Sequence, residues 1–403
     1  MKTTLARRLE GIRPSTLNNI LGASARPDII SFAGGLPAME LFPMDGLRAA
    51  SERVLSAQGP AALQYSDTVG YRPLREYLAE EMGRRGVACT ADSIVLTSGA
   101  QQVLDLVSRA FLDPGDVVIT EAPSYLTAFR VFQACEARCV AAPTDENGII
   151  VEALPELIER YHPKLLYTIP NFQNPSGVTL AAERRPALAA LAARYGLLVL
   201  EDDPYGQLRY AGKHLPPVKA FDTAGQVMYM GTLSKTVAPG LRVGWIVTEP
   251  EALTPLVVFK QVADTMSGTL DQRIAYEYLR TGENAAHVAR ACAVYKERYE
   301  AMDGALHEHM PAGFRWTKPE GGLFLWLTGP DDLDTGALLP RALERKVLYV
   351  PGEDFFPDGS GRNCMRLSFS ACAPARICEG IALLGALCRD HANQGRQPVG
   401  SGR

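Results

Sequence analysis

The sequence lacks a large excess of charge of either sign, and it also lacks a long uninterrupted apolar run. Its formal net charge is only -4 over 403 residues, and its basic residues are spread among acidic ones, so we expect neither nucleic acid nor an anionic membrane as a partner. No apolar stretch approaches the length of a membrane-spanning helix, and residues 1–13 lack the apolar segment of an export signal. We therefore expect a cytoplasmic protein without a membrane partner.

Paired cysteine motifs are also missing. The eight cysteines are scattered, and the closest pairs, such as Cys135 and Cys139, have no histidine or further cysteine nearby. We therefore expect neither a disulfide framework nor a metal site. The remaining composition, 47% hydrophobic and 21% charged, is ordinary for a globular protein. A chain of 403 residues exceeds the usual size of one hydrophobic core, so two packed regions are expected.

Short apolar runs alternate with amphipathic helical patterns over much of the chain. Continuous apolar runs are typical of strands buried on both faces, whereas Leu74, Leu78 and Met82 fall on one face of a helix. The predicted strands are residues 94–97, 117–120, 165–169, 197–200, 227–230 and 243–247. This alternation predicts an α/β fold with a mainly parallel sheet flanked by helices.

The pattern changes after Glu283, where apolar residues recur at alternating spacings of four and three. A coiled coil gives such a pattern, but a single amphipathic helix leading into a smaller α+β domain explains it more simply. In that domain we predict strands at 322–327, 347–350 and 365–369 and a closing helix at 375–388. The predicted organisation is an N-terminal arm with a substrate loop (1–45), a large domain (46–283), the connecting helix with the small domain (284–390), and a disordered tail (391–403).

The most informative segment is 231–245, a hydroxyl-rich turn that carries one lysine between two apolar runs. Thr232 and Ser234 offer hydroxyls, and the planar guanidinium of Arg242 suits phosphate oxygens. A lysine that loses water in such a site has a lowered pKa, and its free amine can form a Schiff base with a carbonyl. Lys235 would be that amine. Taken alone, however, the segment is more typical of a solvated turn with an ordinary surface arginine.

Two further segments follow predicted strands at their carboxyl ends, where open parallel sheets bind ligands. Asp202 could pair with a protonated pyridine nitrogen, and Tyr205 could donate to the phenolic oxygen of such a ring. A helix cap would also place acids here, although this explains Asp203 better than Asp202. Asn174 is a second candidate donor, while its Asn-Pro-x-Gly sequence alone indicates only a turn.

A third segment, 97–102, turns from a strand into a helix. The exposed N–H groups and the dipole of such a helix form a phosphate site, although a tight turn with an N-capping serine has the same pattern. Downstream, Tyr125 could stack on a pyridine ring or be a plain core tyrosine.

Together these segments resemble the fold-type I pyridoxal-phosphate enzymes, and specifically the class I/II aminotransferases of the 2-aminoadipate and kynurenine subgroup. The resemblance extends from about Ile12 to the closing helix, and its most specific element is Ser234-Lys235 with Arg242 seven positions later. It implies pyridoxal 5'-phosphate as the cofactor and a seven-stranded type of sheet in the large domain. It further implies a small domain formed by the chain ends and a homodimer with shared active sites.

The resemblance also assigns roles to residues. Lys235 would hold the cofactor, Asp202 would pair with its pyridine nitrogen, and Asn174 and Tyr205 would contact its phenolic oxygen. Tyr125 would stack on the ring. The remaining cofactor-binding residues, most of them at the phosphate, would be Ala100 and Gln101 through their backbone, Thr232, Ser234, Arg242, and Tyr65 from across the dimer interface.

For the substrate, the resemblance implies that Arg366 binds the α-carboxylate through a bidentate fork, with Gly35 and Asn174 nearby. Without the other segments, the local sequence around Arg366 would indicate only an arginine on a strand that faces water. Relatives that take acidic substrates often use an arginine of the N-terminal arm, and Arg13 is available here, but the following helix offers Asn18 and Asn19 instead. We therefore expect broad, 2-aminoadipate, aromatic or branched-chain specificity rather than strict dicarboxylate specificity.

The implied reaction moves an amino group from an L-amino acid to a 2-oxo acid such as 2-oxoglutarate by a ping-pong mechanism, with Lys235 acting as base and then as acid. The same cofactor also serves lyases, decarboxylases and cyclases, which stay open as alternatives. A cofactor-sensing transcription regulator would need a DNA-reading helix pair ahead of this domain, and since the resemblance begins near residue 12 we do not expect one.

Overall fold

The computed structural model describes residues 6–9, 22 and 26–395. Arg13, Asn18 and Asn19 lie outside the described residues, as does the end of the chain after residue 395. The described strands are β1 (Ile30–Ser31), β2 (Ile94–Ser98), β3 (Val117–Glu121), β4 (Arg138–Ala142), β5 (Thr144–Asp145), β6 (Gly148–Ile149), β7 (Leu165–Thr168), β8 (Leu198–Asp202), β9 (Val227–Thr232), β10 (Val243–Val247), β11 (Arg315–Trp316), β12 (Phe324–Thr328), β13 (Val347–Leu348), β14 (Val350–Pro351) and β15 (Cys364–Ser368). The described α-helices are α1 (Met44–Leu63), α2 (Arg72–Arg84), α3 (Ala100–Phe111), α4 (Leu126–Ala134), α5 (Leu154–Tyr161), α6 (Arg184–Tyr195), α7 (Pro250–Asp264), α8 (Thr269–Leu279), α9 (Glu283–His309), α10 (Thr335–Glu344) and α11 (Pro374–Gly395).

A seven-stranded sheet with the order β2-β10-β9-β8-β7-β3-β4 forms the centre of the fold. Strand β10 runs antiparallel to β2 and β9, and the pairs from β9 to β4 are parallel. Both faces are covered: in β2, Val95 belongs to one buried apolar cluster, and Ile94 and Leu96 belong to another. The prediction of a mainly parallel sheet within an α/β fold is confirmed.

Strand β4 is absent from the predicted set, although the other six strands of this sheet correspond to predicted runs. It lies at the sheet edge, its first residue Arg138 is exposed, and its next three residues are only partly buried. An edge strand of this kind carries no continuous apolar run, so the pattern used to predict buried strands does not detect it.

The strand directions bring the candidate residues to one edge of the sheet. Strands β2, β3, β7, β8 and β9 all point the same way, since β10 is antiparallel to both of its neighbours. Their carboxyl ends lead into the turn before α3, the segment of Tyr125, the loop of Asn174, the segment of Asp202 and the turn of Lys235.

A second sheet, with the order β11-β12-β15-β14, is antiparallel and belongs to the last third of the chain. Strand β1 pairs with β13, Ile30 with Val347, so part of the N-terminal region (1–45) joins the last third of the chain. The long helix α9 begins at Glu283, one residue before the predicted start of the connecting helix at residue 284, and packs against α11. Helix α11 continues to Gly395, so the first residues of the tail predicted to be disordered are helical. The division at residues 45 and 283 stays a prediction.

Three further observations concern the described residues as a whole. All eight cysteines are free thiols. No group of three or more metal-ligating side chains is placed to hold a metal ion in the described part of the chain. None of the helices described above combines the length and apolar character needed to cross a membrane.

Candidate active site

A cavity of about 300 Å³ lies where these strand ends meet. Its wall contains twelve of the predicted site residues: Gly35, Ala100, Gln101, Tyr125, Asn174, Asp202, Tyr205, Thr232, Ser234, Lys235, Arg242 and Arg366. These residues come from segments that are far apart in the sequence. The central sheet brings most of the segments together, whereas Gly35 comes from the N-terminal segment and Arg366 from β15 of the second sheet.

Lys235 lies in the turn that follows β9 and is half-buried. Its Nζ donates a hydrogen bond of 2.9 Å to the carbonyl oxygen of Gly35. Burial, together with the positive charges of Arg366 and Arg242, lowers the pKa of Lys235 to about 8, and only Asp202 acts in the opposite direction. The amine is therefore much more available as a nucleophile near neutral pH than that of a solvated lysine.

Asp202 ends β8 and is buried. Its Oδ2 accepts a hydrogen bond of 2.6 Å from the hydroxyl of Tyr167. Its Oδ1 is buried and has no hydrogen-bond partner among the described residues. Burial raises the pKa of Asp202 to about 7, against the opposing hydrogen bond from Tyr167. A buried carboxylate with one unused oxygen suits a cationic N–H group of a ligand.

Tyr205 and Asn174 lie together on the cavity wall, and both are buried. The Tyr205 hydroxyl is hydrogen-bonded to Asn174, and its ring packs edge-on against Phe324 at 5.8 Å between centroids. Burial raises the pKa of Tyr205, so its hydroxyl stays protonated and can donate. Tyr125, half-buried, precedes helix α4, and burial raises the pKa of its hydroxyl as well.

The first turn of helix α3 and the side chain of Arg242 form an anion site. Gly99 precedes the helix with φ of 81°, and a Cβ on it would lie 2.5 Å from Arg242 Nη2, so glycine permits this close approach. Arg242 Nη2 donates to the carbonyl oxygen of Ser98 at 2.9 Å, and Thr232 Oγ1 donates to Ser234 Oγ at 2.9 Å. Arg242 forms no ion pair with any described residue, so its charge and the helix N-terminus remain available to an anion such as phosphate.

Arg366 is a second cation of the cavity wall that has no ion-pair partner among the described residues. It lies in β15, is only 4% exposed, and packs between the rings of Phe324 and Phe355, 4.3 and 5.1 Å from their centroids. Its Nη1 donates to Asn174 Oδ1 at 2.8 Å and its Nη2 to the carbonyl oxygen of Ala33, whereas Nε has no partner among the described residues. Burial lowers the pKa of Arg366 to about 10, and a carboxylate ligand would offset this cost.

One of the predicted residues that the structure describes is not part of this cavity. Tyr65 follows helix α1, is 80% exposed, and does not line the cavity in the single chain. Arg13 lies outside the described residues.

The structure also adds residues that the sequence did not indicate. Glu121, at the end of β3, accepts hydrogen bonds from Thr168 Oγ1 at 2.8 Å and from Ile169 N and Gln173 Nε2 at 3.1 Å. Gln173 Nε2 also donates to the carbonyl oxygen of Pro123 at 2.6 Å. These bonds anchor the loop that carries Asn174. The sequence shows Gln173 only as one residue of a predicted turn, because its partner Glu121 is 52 residues away along the chain.

Apolar side chains complete the cavity wall. The described lining includes Leu36, Leu104, Leu126 and Phe324. Leu36 is 59% exposed and lies beside Gly35, in the segment predicted as the substrate loop. The cavity wall therefore combines apolar side chains with four charged ones, namely Lys235, Arg242, Arg366 and Asp202.

Comparison with known proteins identifies the family. The family model for aminotransferase class I and II matches residues 28–382. The chain is 42% identical over 386 residues to aromatic-amino-acid aminotransferase 1 of Thermococcus litoralis, which covers 94% of this chain and 93% of that protein. The solved structure of Pyrococcus horikoshii kynurenine aminotransferase, in complex with PMP, is 40% identical with a TM-score of 0.93, covering 96% of this chain and 97% of that one.

A further solved structure is similar over nearly the whole chain. LysN, the α-aminoadipate aminotransferase of Thermus thermophilus, complexed with N-(5'-phosphopyridoxyl)-L-leucine, is 38% identical with a TM-score of 0.90, covering 97% of this chain and 98% of that one. The fold and the family predicted from the sequence are thereby confirmed. The chain belongs to the class I and II aminotransferases.

Proposed function

We propose that this aminotransferase binds pyridoxal 5'-phosphate on Lys235 and transfers an amino group from an L-amino acid to a 2-oxo acid. The observation that carries the proposal is the position of Lys235. This half-buried lysine, whose pKa is lowered, lies on the same cavity wall as Asp202 and Arg242. The phosphopyridoxyl group bound by LysN and the PMP bound by the Pyrococcus horikoshii enzyme support the same cofactor here.

The residues present fit each part of this cofactor. The unused Oδ1 of Asp202 suits a protonated pyridine nitrogen, and the Arg242 guanidinium with the first N–H groups of α3 suits the phosphate. Tyr205 and Asn174 offer donors for the phenolic oxygen, and the half-buried ring of Tyr125 offers a face for stacking. The residues proposed for the phosphate and its surroundings are Ala100, Gln101, Thr232, Ser234 and Arg242.

The cofactor supplies an electron sink that stabilises negative charge developing at the substrate α-carbon. The protein supplies the remaining parts of the reaction. Arg366 binds the α-carboxylate and thereby fixes which bond of the α-carbon faces the lysine, with Asn174 and Gly35 beside it. After an incoming amino acid has freed Lys235 Nζ, this amine would accept the proton from the α-carbon and would then donate it, as an acid, to the C4' carbon of the bound cofactor, because its pKa lies close to neutral pH.

The apolar wall formed by Leu36, Leu104, Leu126 and Phe324 supports donors with aromatic or aliphatic side chains. The names of the relatives, which include an aromatic-amino-acid and a kynurenine aminotransferase, agree with that class. We propose 2-oxoglutarate as the acceptor, with Arg13 as the candidate partner of its distal carboxylate. We also propose a cytoplasmic homodimer in which Tyr65 reaches the phosphate of the partner subunit, and the 80% exposure of Tyr65 in the single chain supports this.

The decisive experiment is borohydride trapping followed by peptide mapping. Recombinant protein incubated with pyridoxal 5'-phosphate should turn yellow, and reduction should label the peptide that contains Lys235. Lys235→Ala should abolish the label, whereas Lys213→Ala, a change at an exposed lysine, should not. A label on another peptide, or protein that stays colourless, would refute the proposal.

A second measurement separates amino transfer from the other reactions of this cofactor. A panel of amino acids with 2-oxoglutarate should give glutamate and the matching 2-oxo acid in equal amounts. Release of carbon dioxide, or of an elimination product, without glutamate would point instead to a decarboxylase, lyase or cyclase.

A further inference from the structure

Tyr167 holds the carboxylate of Asp202 from behind the cavity wall. It lies in β7, next to β8, where it pairs in register with Leu200, and it is fully buried. Its ring packs edge-on against Phe132 at 5.8 Å, and its hydroxyl donates to Asp202 Oδ2 at 2.6 Å. Tyr167 itself does not line the cavity.

This contact leaves Asp202 with a single oxygen to offer. The terminal torsion of an aspartate is broad and nearly two-fold, so a carboxylate without a fixed partner can rotate. In the part of the chain that the structure describes, Tyr167 is the only hydrogen-bond donor to the side chain of Asp202, and Oδ1 is left unpaired. The hydroxyl of Tyr167 therefore selects which oxygen stays free and fixes the plane of the carboxylate.

The same contact controls how strongly Asp202 competes for a proton. Burial and the charges of Asp203 and Glu121 favour the protonated acid, whereas the hydrogen bond from Tyr167 and the charge of Lys235 favour the carboxylate. A hydrogen bond donated to a carboxylate makes it less basic. A proton shared between Asp202 and a ring nitrogen then stays on the nitrogen.

We infer that Tyr167 is a positioning residue that orients Asp202 and keeps the pyridine nitrogen of the cofactor protonated. The inference rests on the proposed function, because it requires the cofactor ring to lie against Asp202. Without the hydroxyl of Tyr167, Asp202 becomes more basic and draws the proton away from the ring, which weakens the electron sink.

The test uses holoenzyme reconstituted with pyridoxal 5'-phosphate labelled with ¹⁵N in the ring. In Tyr167→Phe, the ¹⁵N resonance should move toward the position of a neutral pyridine, and the rate of the first half-reaction should fall by about tenfold to a hundredfold. Tyr229→Phe is the matched control, because it removes a buried tyrosine hydroxyl that donates at 3.0 Å to the neighbouring Asp203. That variant should keep the wild-type resonance even if it loses stability.

A second variant keeps the test decisive should Tyr167→Phe fail to fold. Incorporation of 3-fluorotyrosine at position 167 preserves the ring and hydroxyl but makes the hydroxyl a stronger donor, so the resonance should move away from that of neutral pyridine. Suppose that the wild-type protein binds the cofactor on Lys235, but that the ¹⁵N resonance stays unchanged in each of the two altered proteins that folds. This result would overturn the inference and leave the proposed function intact. Failure of the wild-type protein to bind the cofactor would overturn the proposed function together with it.

Discussion

Lys235 and Arg366 are two cations that the fold has withdrawn from water without an ion-pair partner among the described residues. The pKa is lowered in both, chiefly by burial. For Lys235 this raises the fraction of free amine, and for Arg366, which stays charged at neutral pH, it increases the gain from binding a carboxylate. The same physical cause thus suits Lys235 to the proposed covalent chemistry and Arg366 to the proposed binding of a carboxylate.

The lowered pKa of Lys235 predicts how its reaction with pyridoxal 5'-phosphate depends on pH. With a pKa of about 8, about a tenth of the amine is free at pH 7, against about one in 3,000 for a solvated lysine. The rate of imine formation by the apoenzyme should rise with pH up to about 8 and then level off. Stopped-flow absorbance measures this rate. The rate for Nα-acetyl-lysine amide in solution, which controls for titration of the cofactor itself, should continue to rise toward pH 10. Parallel profiles for protein and amide would contradict the prediction.

The buried guanidinium of Arg366 predicts a loss of carboxylate recognition in Arg366→Leu. Losing charge-assisted hydrogen bonds of about 2–3 kcal/mol should lower kcat/KM for amino acids roughly 30- to 150-fold. Amines that lack the carboxylate should lose much less, so the preference for the amino acid over its decarboxylated amine should shrink. Arg376→Leu, at an exposed arginine paired with Glu379, is the control and should leave this preference unchanged. An equal loss for acid and amine would assign Arg366 to packing.

At the scale of single residues, the sequence predicted those whose chemistry belongs to a recognisable local motif. Lys235, Arg242, Asn174 and Asp202 all belong to such motifs, and the structure brings them to one cavity. Tyr167 was not predicted, because it stands inside an apolar run where an aromatic residue is ordinary strand composition. A hydrogen bond between neighbouring strands depends on their register, which the sequence of either strand alone does not contain.

At the scale of elements, strand β10 determines where helix α3 begins. Gly244 of β10 pairs with Thr97 and with Thr232. A Cβ on Gly244 would lie 2.5 Å from the carbonyl carbon of Gly99 and 2.7 Å from the nitrogen of Ala100. The missing side chain therefore lets the N-terminus of α3 approach the sheet edge where Arg242 lies.

Gly244→Ala should consequently weaken phosphate binding. The added methyl group displaces the first residue of α3, so we expect the affinity for pyridoxal 5'-phosphate to fall at least about tenfold, while the affinity for pyridoxal, which has no phosphate, changes little. Equilibrium titration of the apoenzyme with both compounds gives the ratio. Gly240→Ala is a close control in the same segment, since no atom lies within 4 Å of its added Cβ. An equal loss of affinity for both compounds would indicate general distortion instead.

Elements were predictable from the sequence where burial on both faces produces a continuous apolar run. This holds for six strands of the central sheet, but the half-exposed edge strand β4 and the two-residue strand β11 leave no such signal. The closing helix was predicted to end at residue 388, but it continues to Gly395. Its last buried residues are Leu387 and Cys388, and the polar residues that follow them suggested a tail. Local composition marked the end of burial there, not the end of the helix.

At the scale of the whole molecule, the proposed dimer with shared active sites predicts complementation between two inactive variants. Lys235→Ala and Tyr65→Ala should each have low activity as pure proteins. In a mixed dimer, one site combines Lys235 of the second variant with Tyr65 of the first, so this site is intact. Random mixing after mild dissociation should restore about a quarter of the wild-type activity, since about half of the dimers are mixed and each has one intact site. Activity assays before and after mixing measure the recovery.

The control for this prediction is Lys235→Ala mixed with Lys235→Arg, which cannot form an intact site and should stay inactive. If mixed dimers of the Tyr65 and Lys235 variants also stay inactive, Tyr65 acts within its own subunit or not at all. The sequence suggested the shared site only through its family resemblance, because contacts between subunits leave no periodic pattern within a single chain.

The pairing of Ile30 with Val347 has a consequence for how the protein is made. On a ribosome, the segment around Gly35 emerges early, but the strand that anchors it and the strand of Arg366 are translated last. The central sheet, with Lys235 and the phosphate site, is complete before either is available. We therefore expect a nascent chain stalled after helix α9 to bind pyridoxal 5'-phosphate but to show no selectivity among amino acids. Recognition of the substrate would then be the last property acquired during translation.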